Sequence, residues 1–132
     1  MKNVILIHGM PSKEEYFAHG QTEVNTNWFP WLDKQLAQSG INFNIPNMPV
    51  PYEPEYAAWK SVFEQFQLNE ETVLIGHSCG GGFLLRYLSE NDLHVGTVVL
   101  IAPWLDLKQY LETGMFNFEI DKNVLNKTKG IN

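Results

Sequence analysis

The residues best suited to chemistry are Gly76-His77-Ser78-Cys79-Gly80, a G-x-S-x-G. The run before them, Val73-Leu74-Ile75, is short, apolar and β-branched enough for a buried strand. The run after them, Phe83 to Leu88, repeats apolar pairs four residues apart, as on a buried helix face. A strand, a sharp turn and a helix form the setting in which a serine hydroxyl is presented as a nucleophile. So tight a turn crowds any side chain beside Ser78, which makes Gly76 and Gly80 sterically necessary. A serine attacking an acyl carbon creates an oxyanion, and that charge needs backbone donors. The N–H of Cys79, at the start of the helix, is one candidate. The loop His8-Gly9-Met10-Pro11 offers the other in the N–H of Met10, since Pro11 has none.

Other residues invite a role beside Ser78. His8 is a candidate base, although a histidine there more commonly braces its loop by a hydrogen bond. His77 is expected to project away from the Ser78 hydroxyl. Trp104 and Asp106 follow a fourth strand pattern, where an orienting acid could sit, but Asp106 would need a histidine to orient. His8, His77, Trp104 and Asp106 are therefore expected as site-lining residues. His19 reads as solvated, and His94 precedes its strand and so lies at the opposite end of the sheet. The Cys79 thiol reads as filling space behind the turn. A phosphate-gripping turn is the bland alternative, but neither G-x-G-x-x-G nor G-x-x-x-x-G-K-[ST] occurs. Nothing calls for a metal or a cofactor.

The elements that must position these residues alternate along the chain. Strand patterns fall at Asn3–Ile7, Ile41–Ile45, Val73–Ile75 and Thr97–Ile101. Helical patterns fall at Asn27–Gln38, with Trp28, Trp31, Leu32 and Leu36 on one face, at Glu55–Gln67, and after the Ser78 turn. Ser12–Thr26 reads as an irregular loop near the pocket, and the three prolines of Pro46–Pro51 as an extended one. This order specifies an α/β fold, a doubly wound parallel sheet with strand order 2-1-3-4. The loops at His8, Pro46, Ser78 and Trp104 then share the carboxyl edge, where sites form. Phe116–Ile120 alternates weakly and could be a lid segment. Gly130-Ile131 resembles the approach to a further strand. With no such strand, strand four would be an open edge, inviting self-association.

The 132 residues, 44% of them hydrophobic, fit a single domain that buries about two thirds of its unfolded surface. A net charge of −6 without a basic cluster argues against nucleic acid. No apolar run approaches the roughly 20 residues of a membrane span, so no membrane partner is expected. The single cysteine excludes an internal disulfide and fits a reducing, cytoplasmic setting.

The chain resembles the small serine hydrolases of the α/β-hydrolase superfamily, of the retinoblastoma-binding hydrolase type. The similar pieces are ILIHGMP at Ile5–Pro11, PWL at Pro30–Leu32, GHSCGGGFLLRYL at Gly76–Leu88, APWLD at Ala102–Asp106 and FNFEID at Phe116–Asp121. The resemblance implies an α/β-hydrolase-like fold, a nucleophile at Ser78 and oxyanion donors at Cys79 and near Met10. It also implies that the triad's acid and histidine follow two further strands, so this chain is expected to be C-terminally shortened, lacking them and the final strands. Two functions follow: hydrolysis of small-molecule ester, amide or acyl substrates, impaired in this chain, or a non-catalytic binding module built on that scaffold. A phosphate or nucleotide binder ranks last.

Overall fold

A computed structural model describes residues 2–132. At its centre lies a parallel sheet of five strands in the order 2-1-3-4-5. The strands are β1 (Asn3–Ile7), β2 (Asn42–Asn44), β3 (Val73–His77), β4 (Thr97–Ile101) and β5 (Gly130–Ile131). The α-helices are α1 (Lys13–Ala18), α2 (Phe29–Gln38), α3 (Tyr56–Phe63) and α4 (Cys79–Glu90). β1 and β3 are apolar almost throughout because helices cover both faces of the sheet. On one face Trp59 and Phe63 of α3 and Phe83 and Leu84 of α4 pack with Ile5, Ile7 and Leu74. On the other, Phe29, Leu32 and Leu36 of α2 pack with Val4, Leu6 and Ile75. This is the doubly wound arrangement that the alternation of strands and helices specifies. Among the described residues no helix is long and apolar enough to cross a membrane.

Three details depart from the sequence reading. Residues 13–18, expected as irregular loop, form α1, nucleated by a capping box. The Ser12 hydroxyl accepts from the Glu15 N–H at 3.1 Å, and the Glu15 carboxylate accepts from the Ser12 N–H at 3.3 Å. In α2 the buried position belongs to Phe29, while Trp31 is 63% exposed. Pro30 sets the helix start at Phe29, so the core stripe runs Phe29, Leu32, Leu36. Trp31 then lies about 200° around the axis from Phe29, on the far side.

The third departure concerns the sheet edge. Gly130 and Ile131 pair with Thr97 and Val98 as β5. Asn132 N–H donates to the Val98 carbonyl at 2.8 Å, and Leu100 N–H donates to the Asn132 carbonyl at 2.6 Å. The further strand that the sequence only approaches is therefore formed by the chain's last residues. The edge of β4, expected to be open for self-association, is occupied by the chain itself, and the outer edge passes to the short β5.

Candidate active site

Ser78 stands between β3 and α4 with φ 54° and ψ −117°, a conformation that L-residues rarely adopt. Such backbone costs on the order of 1–3 kcal/mol and persists only where its surroundings over-determine it. Here they do. Ser78 N–H donates to the Ile101 carbonyl at 2.9 Å, which ties the turn to the end of β4. The Ser78 carbonyl accepts from Gly81 N–H at 2.9 Å and from Trp104 N–H at 3.0 Å. A Cβ on Gly76 would stand 2.5 Å from Gly81 Cα, and one on Gly80 would press into the carbonyl oxygen of Ile7. Both glycines of the motif are thus demanded by backbone approaching backbone. α4 begins at Cys79, and its N-terminal dipole points at this corner.

The register Ile7↔Gly76 brings the end of β1 beside that of β3. The loop leaving β1 therefore runs alongside Ser78, and a Cβ on Gly9 would stand 3.1 Å from Ser78 Cβ. His8, 1% exposed, holds this loop in place. Its Nδ1–H donates to the Gly9 carbonyl at 2.9 Å, and its Nε2 accepts from Met48 N–H at 3.0 Å. Both ring nitrogens are consumed, and burial pulls the imidazole pKa down to about 4. His8 is a brace, as the commoner reading of such a histidine has it. The N–H groups of Met10 and Cys79 have no hydrogen-bond partner among the described residues. Ser78, Gly9, Met10 and His77 line one open cleft of about 490 Å³, together with Glu15, His19, Glu23 and residues 25–27.

The remaining expected residues separate. The His77 ring lines that cleft and stands edge-on to Trp28 and Phe29. Trp104 lines a different, apolar groove, and its backbone N–H donates to the Ser78 carbonyl. Asp106 is buried, and its carboxylate accepts from Tyr110 N–H at 2.9 Å and Leu111 N–H at 2.8 Å. It closes a turn in which its own φ is +50°. The Cys79 thiol is fully buried, and desolvation, with the Asp106 charge adding to it, pushes its pKa up to about 12. It fills space behind the turn.

Comparison with known proteins fits this geometry. The sequence profile of the alpha/beta hydrolase fold matches residues 62–127, which include the Ser78 turn. The chain belongs to the α/β-hydrolase fold family. It is similar to YdeN of Bacillus subtilis (strain 168), at 33% identity over 119 residues, covering 82% of this chain and 63% of YdeN. It is also similar to the serine hydrolase RBBP9 of Rattus norvegicus, at 28% identity over 89 residues, 65% of this chain and 47% of RBBP9. The chain thus spans less than two thirds of these relatives. The crystal structure of the B. subtilis ydeN gene product superposes with a TM-score of 0.82 at 25% identity, over 99% of this chain and 69% of that one.

Within this hydrolase fold two residues escaped the sequence reading. His19, expected to be merely solvated, lines the Ser78 cleft, with Nδ1 3.8 Å from Glu23 Oε1. Glu23 lines it too and is 7% exposed. Burial pushes its carboxyl pKa up. The turn Glu23–Thr26, where Thr26 donates to the Glu23 carbonyl at 2.8 Å, folds that carboxylate inward. Conversely, Phe116–Ile120, expected as a lid, does not line the cleft. Arg86 donates to the Gly114 and Met115 carbonyls at 3.0 and 2.8 Å, holding this segment's start on α4. Phe116 packs edge-on against Trp104.

Proposed function

We propose that the protein is a serine hydrolase of small ester, amide or acyl substrates, with Ser78 as the nucleophile. The observation that carries this reading is the strained, over-determined turn at Ser78 beside two unpartnered backbone donors. The Ser78 hydroxyl attacks the acyl carbon, and the oxyanion is received by the N–H groups of Met10 and Cys79. The dipole of α4 favours the same charge. Collapse expels the alcohol or amine and leaves an acyl-serine, which water then hydrolyses. The hydroxyl needs a base to take its proton. Among the described residues no histidine hydrogen-bonds to Ser78: His8 is committed to Gly9 and Met48, and His19 faces Glu23. This observation favours a second reading, in which these residues alone bind substrate with little turnover. The single cysteine supports a cytoplasmic setting for either.

Hydrolysis of p-nitrophenyl acetate by the purified chain and by Ser78→Ala tests the two readings. The oxyanion donors alone leave about 10³–10⁴-fold acceleration over water. Turnover at or above that level that vanishes in Ser78→Ala supports the hydrolase. Binding without Ser78-dependent turnover supports the second reading, and turnover unchanged in Ser78→Ala refutes the nucleophile.

A further inference from the structure

The Ser78 carbonyl oxygen and the Cys79 N–H belong to one planar peptide unit and point in opposite directions across it. Whatever fixes that carbonyl therefore fixes the direction in which Cys79 offers its hydrogen to an oxyanion. The carbonyl accepts from Gly81 N–H at 2.9 Å, within the first turn of α4. It also accepts from Trp104 N–H at 3.0 Å, which reaches in from beyond the end of β4. On its other side, Ser78 N–H donates to the Ile101 carbonyl at 2.9 Å. Residues 101–104 thus bracket Ser78 from both sides. The bracket is itself strained, since Ala102 has φ +46° without being a glycine. Such a corner persists only where its surroundings over-determine it.

The surroundings are the glycines of α4 and one aromatic ring. A Cβ on Gly81 would stand 2.9 Å from Pro103 Cβ, and one on Gly82 would press into the Trp104 carbonyl oxygen. That Gly82 Cβ would also stand 2.6 Å from Phe116 Cε1, so the Phe116 ring fills the space beside the seated carbonyl. The same ring meets Trp104 edge-on, with centroids 5.8 Å apart at 85°. Phe116 is anchored to α4 as well. Arg86 donates to the carbonyls of Gly114 and Met115 just before it, and the Met115 side chain is buried in the core. Phe116 lines a recess within loop 105–117 and does not line the Ser78 cleft. We infer that Phe116 is a positioning residue for the Cys79 oxyanion donor, wedging Trp104 so that its N–H pins the Ser78 carbonyl. This role rests on the Ser78 hydrolase reading. Without the ring, the 102–104 corner can lift from α4, and the 78–79 peptide, held by Gly81 alone, can tilt.

The test is a fluorophosphonate titration of the unaltered chain, Phe116→Ala, Phe116→Leu and Leu36→Ala, each well below its Tm. It separates the limiting rate of Ser78 labelling from the reagent concentration that gives half of it. Losing an oxyanion donor outright costs about 10²–10³-fold. A tilt that keeps the donor is expected to slow the limiting rate of Phe116→Ala about tenfold. The half-saturating concentration should stay within about twofold, since a group outside the cleft leaves ground-state binding alone. Phe116→Leu keeps apolar bulk on Gly82 but loses the ring edge, and should slow labelling only about threefold. Leu36→Ala, on the opposite face of the sheet, should lower Tm without slowing labelling. Amide NMR should show the Cys79 and Trp104 signals shifted in Phe116→Ala and unmoved in Leu36→Ala. A parent limiting rate in Phe116→Ala, equal slowing in Leu36→Ala, or a change confined to the half-saturating concentration overturns the inference. Should Phe116→Ala fail to fold, Phe116→Leu decides: a parent rate with an unmoved Cys79 amide overturns it. Labelling of the unaltered chain that the Phe116 variants leave unchanged sinks this inference alone. An unaltered chain that is not labelled at Ser78 sinks the hydrolase reading, and this role with it.

Discussion

Gly80→Ala probes the packing that sets the site. A Cβ there would press into the Ile7 carbonyl oxygen, 2.6 Å from Ile7 C and 2.7 Å from the His8 carbonyl oxygen. All three atoms are backbone at the end of β1, and β1 is held in register with β3 through Ile7↔Gly76. No side chain can rotate away to make room. Overpacking of ordinary cores costs about 1–3 kcal/mol, and relief here requires moving α4 off the sheet, so the clash belongs at or above the top of that range. Alanine's better helix propensity returns about 1 kcal/mol. The net loss is about 2–3 kcal/mol, lowering Tm by about 8 °C in a domain of this size. The same displacement separates the Met10 and Cys79 amides. Loss of one oxyanion donor costs about 10²–10³ in rate, so fluorophosphonate labelling should slow at least tenfold. The control is Gly130→Ala, where an added Cβ meets nothing within 4 Å; it should stay within about 0.5 kcal/mol of the parent. Thermal melts by circular dichroism and a labelling time course measure both effects. A Gly80→Ala protein that melts within about 2 °C of the parent and labels at the same rate would refute the reasoning.

Three further outcomes follow from the same contacts. The pKa of His8 falls from 6.5 in the open chain to about 4 in the folded one, so below pH 6.5 the unfolded state takes up a proton that the folded state refuses. Stability should therefore decline by about 3 kcal/mol as pH drops from 6.5 to 4, and His8→Gln should flatten that part of a urea-denaturation pH profile. Arg86→Met removes both hydrogen bonds to residues 114–115 and the guanidinium 3.8 Å from the Tyr56 ring centre. It should cost about 2–3 kcal/mol and raise amide hydrogen exchange at Leu111 and Phe118 before exchange at β1 changes. The Cys79 thiol, buried and with its pKa near 12, should not react with a disulfide reagent at pH 8 in the native protein, and should react promptly once the chain is unfolded.

The parts of the fold legible in the sequence are those that carry many residues in one pattern. The apolar runs of β1, β3 and β4 and the stripe of α4 need both faces of a sheet covered, and that need fixes the layered architecture. The turn at Ser78 was legible because close backbone approach leaves glycine no substitute at positions 76 and 80. β5 was not, since two residues have no periodicity, and only the partner strand makes them a strand. Trp31 was misplaced because a helical face depends on where the first turn starts, which Pro30 decides. α1 did leave a signal, Ser12-x-x-Glu15, in a segment otherwise polar. The burial of Glu23 left none: a glutamate in a polar loop reads as solvated until the fold turns it toward the cleft.

The central claim is that the hydroxyl of Ser78 is a nucleophile held at a strained turn. Fluorophosphonate treatment of the folded protein, followed by peptide mass spectrometry, tests it most directly. The account predicts one adduct per chain, on the peptide containing Ser78, absent after Ser78→Ala and after heat unfolding before treatment. An adduct on another residue, or labelling equal in folded and unfolded protein, would contradict it.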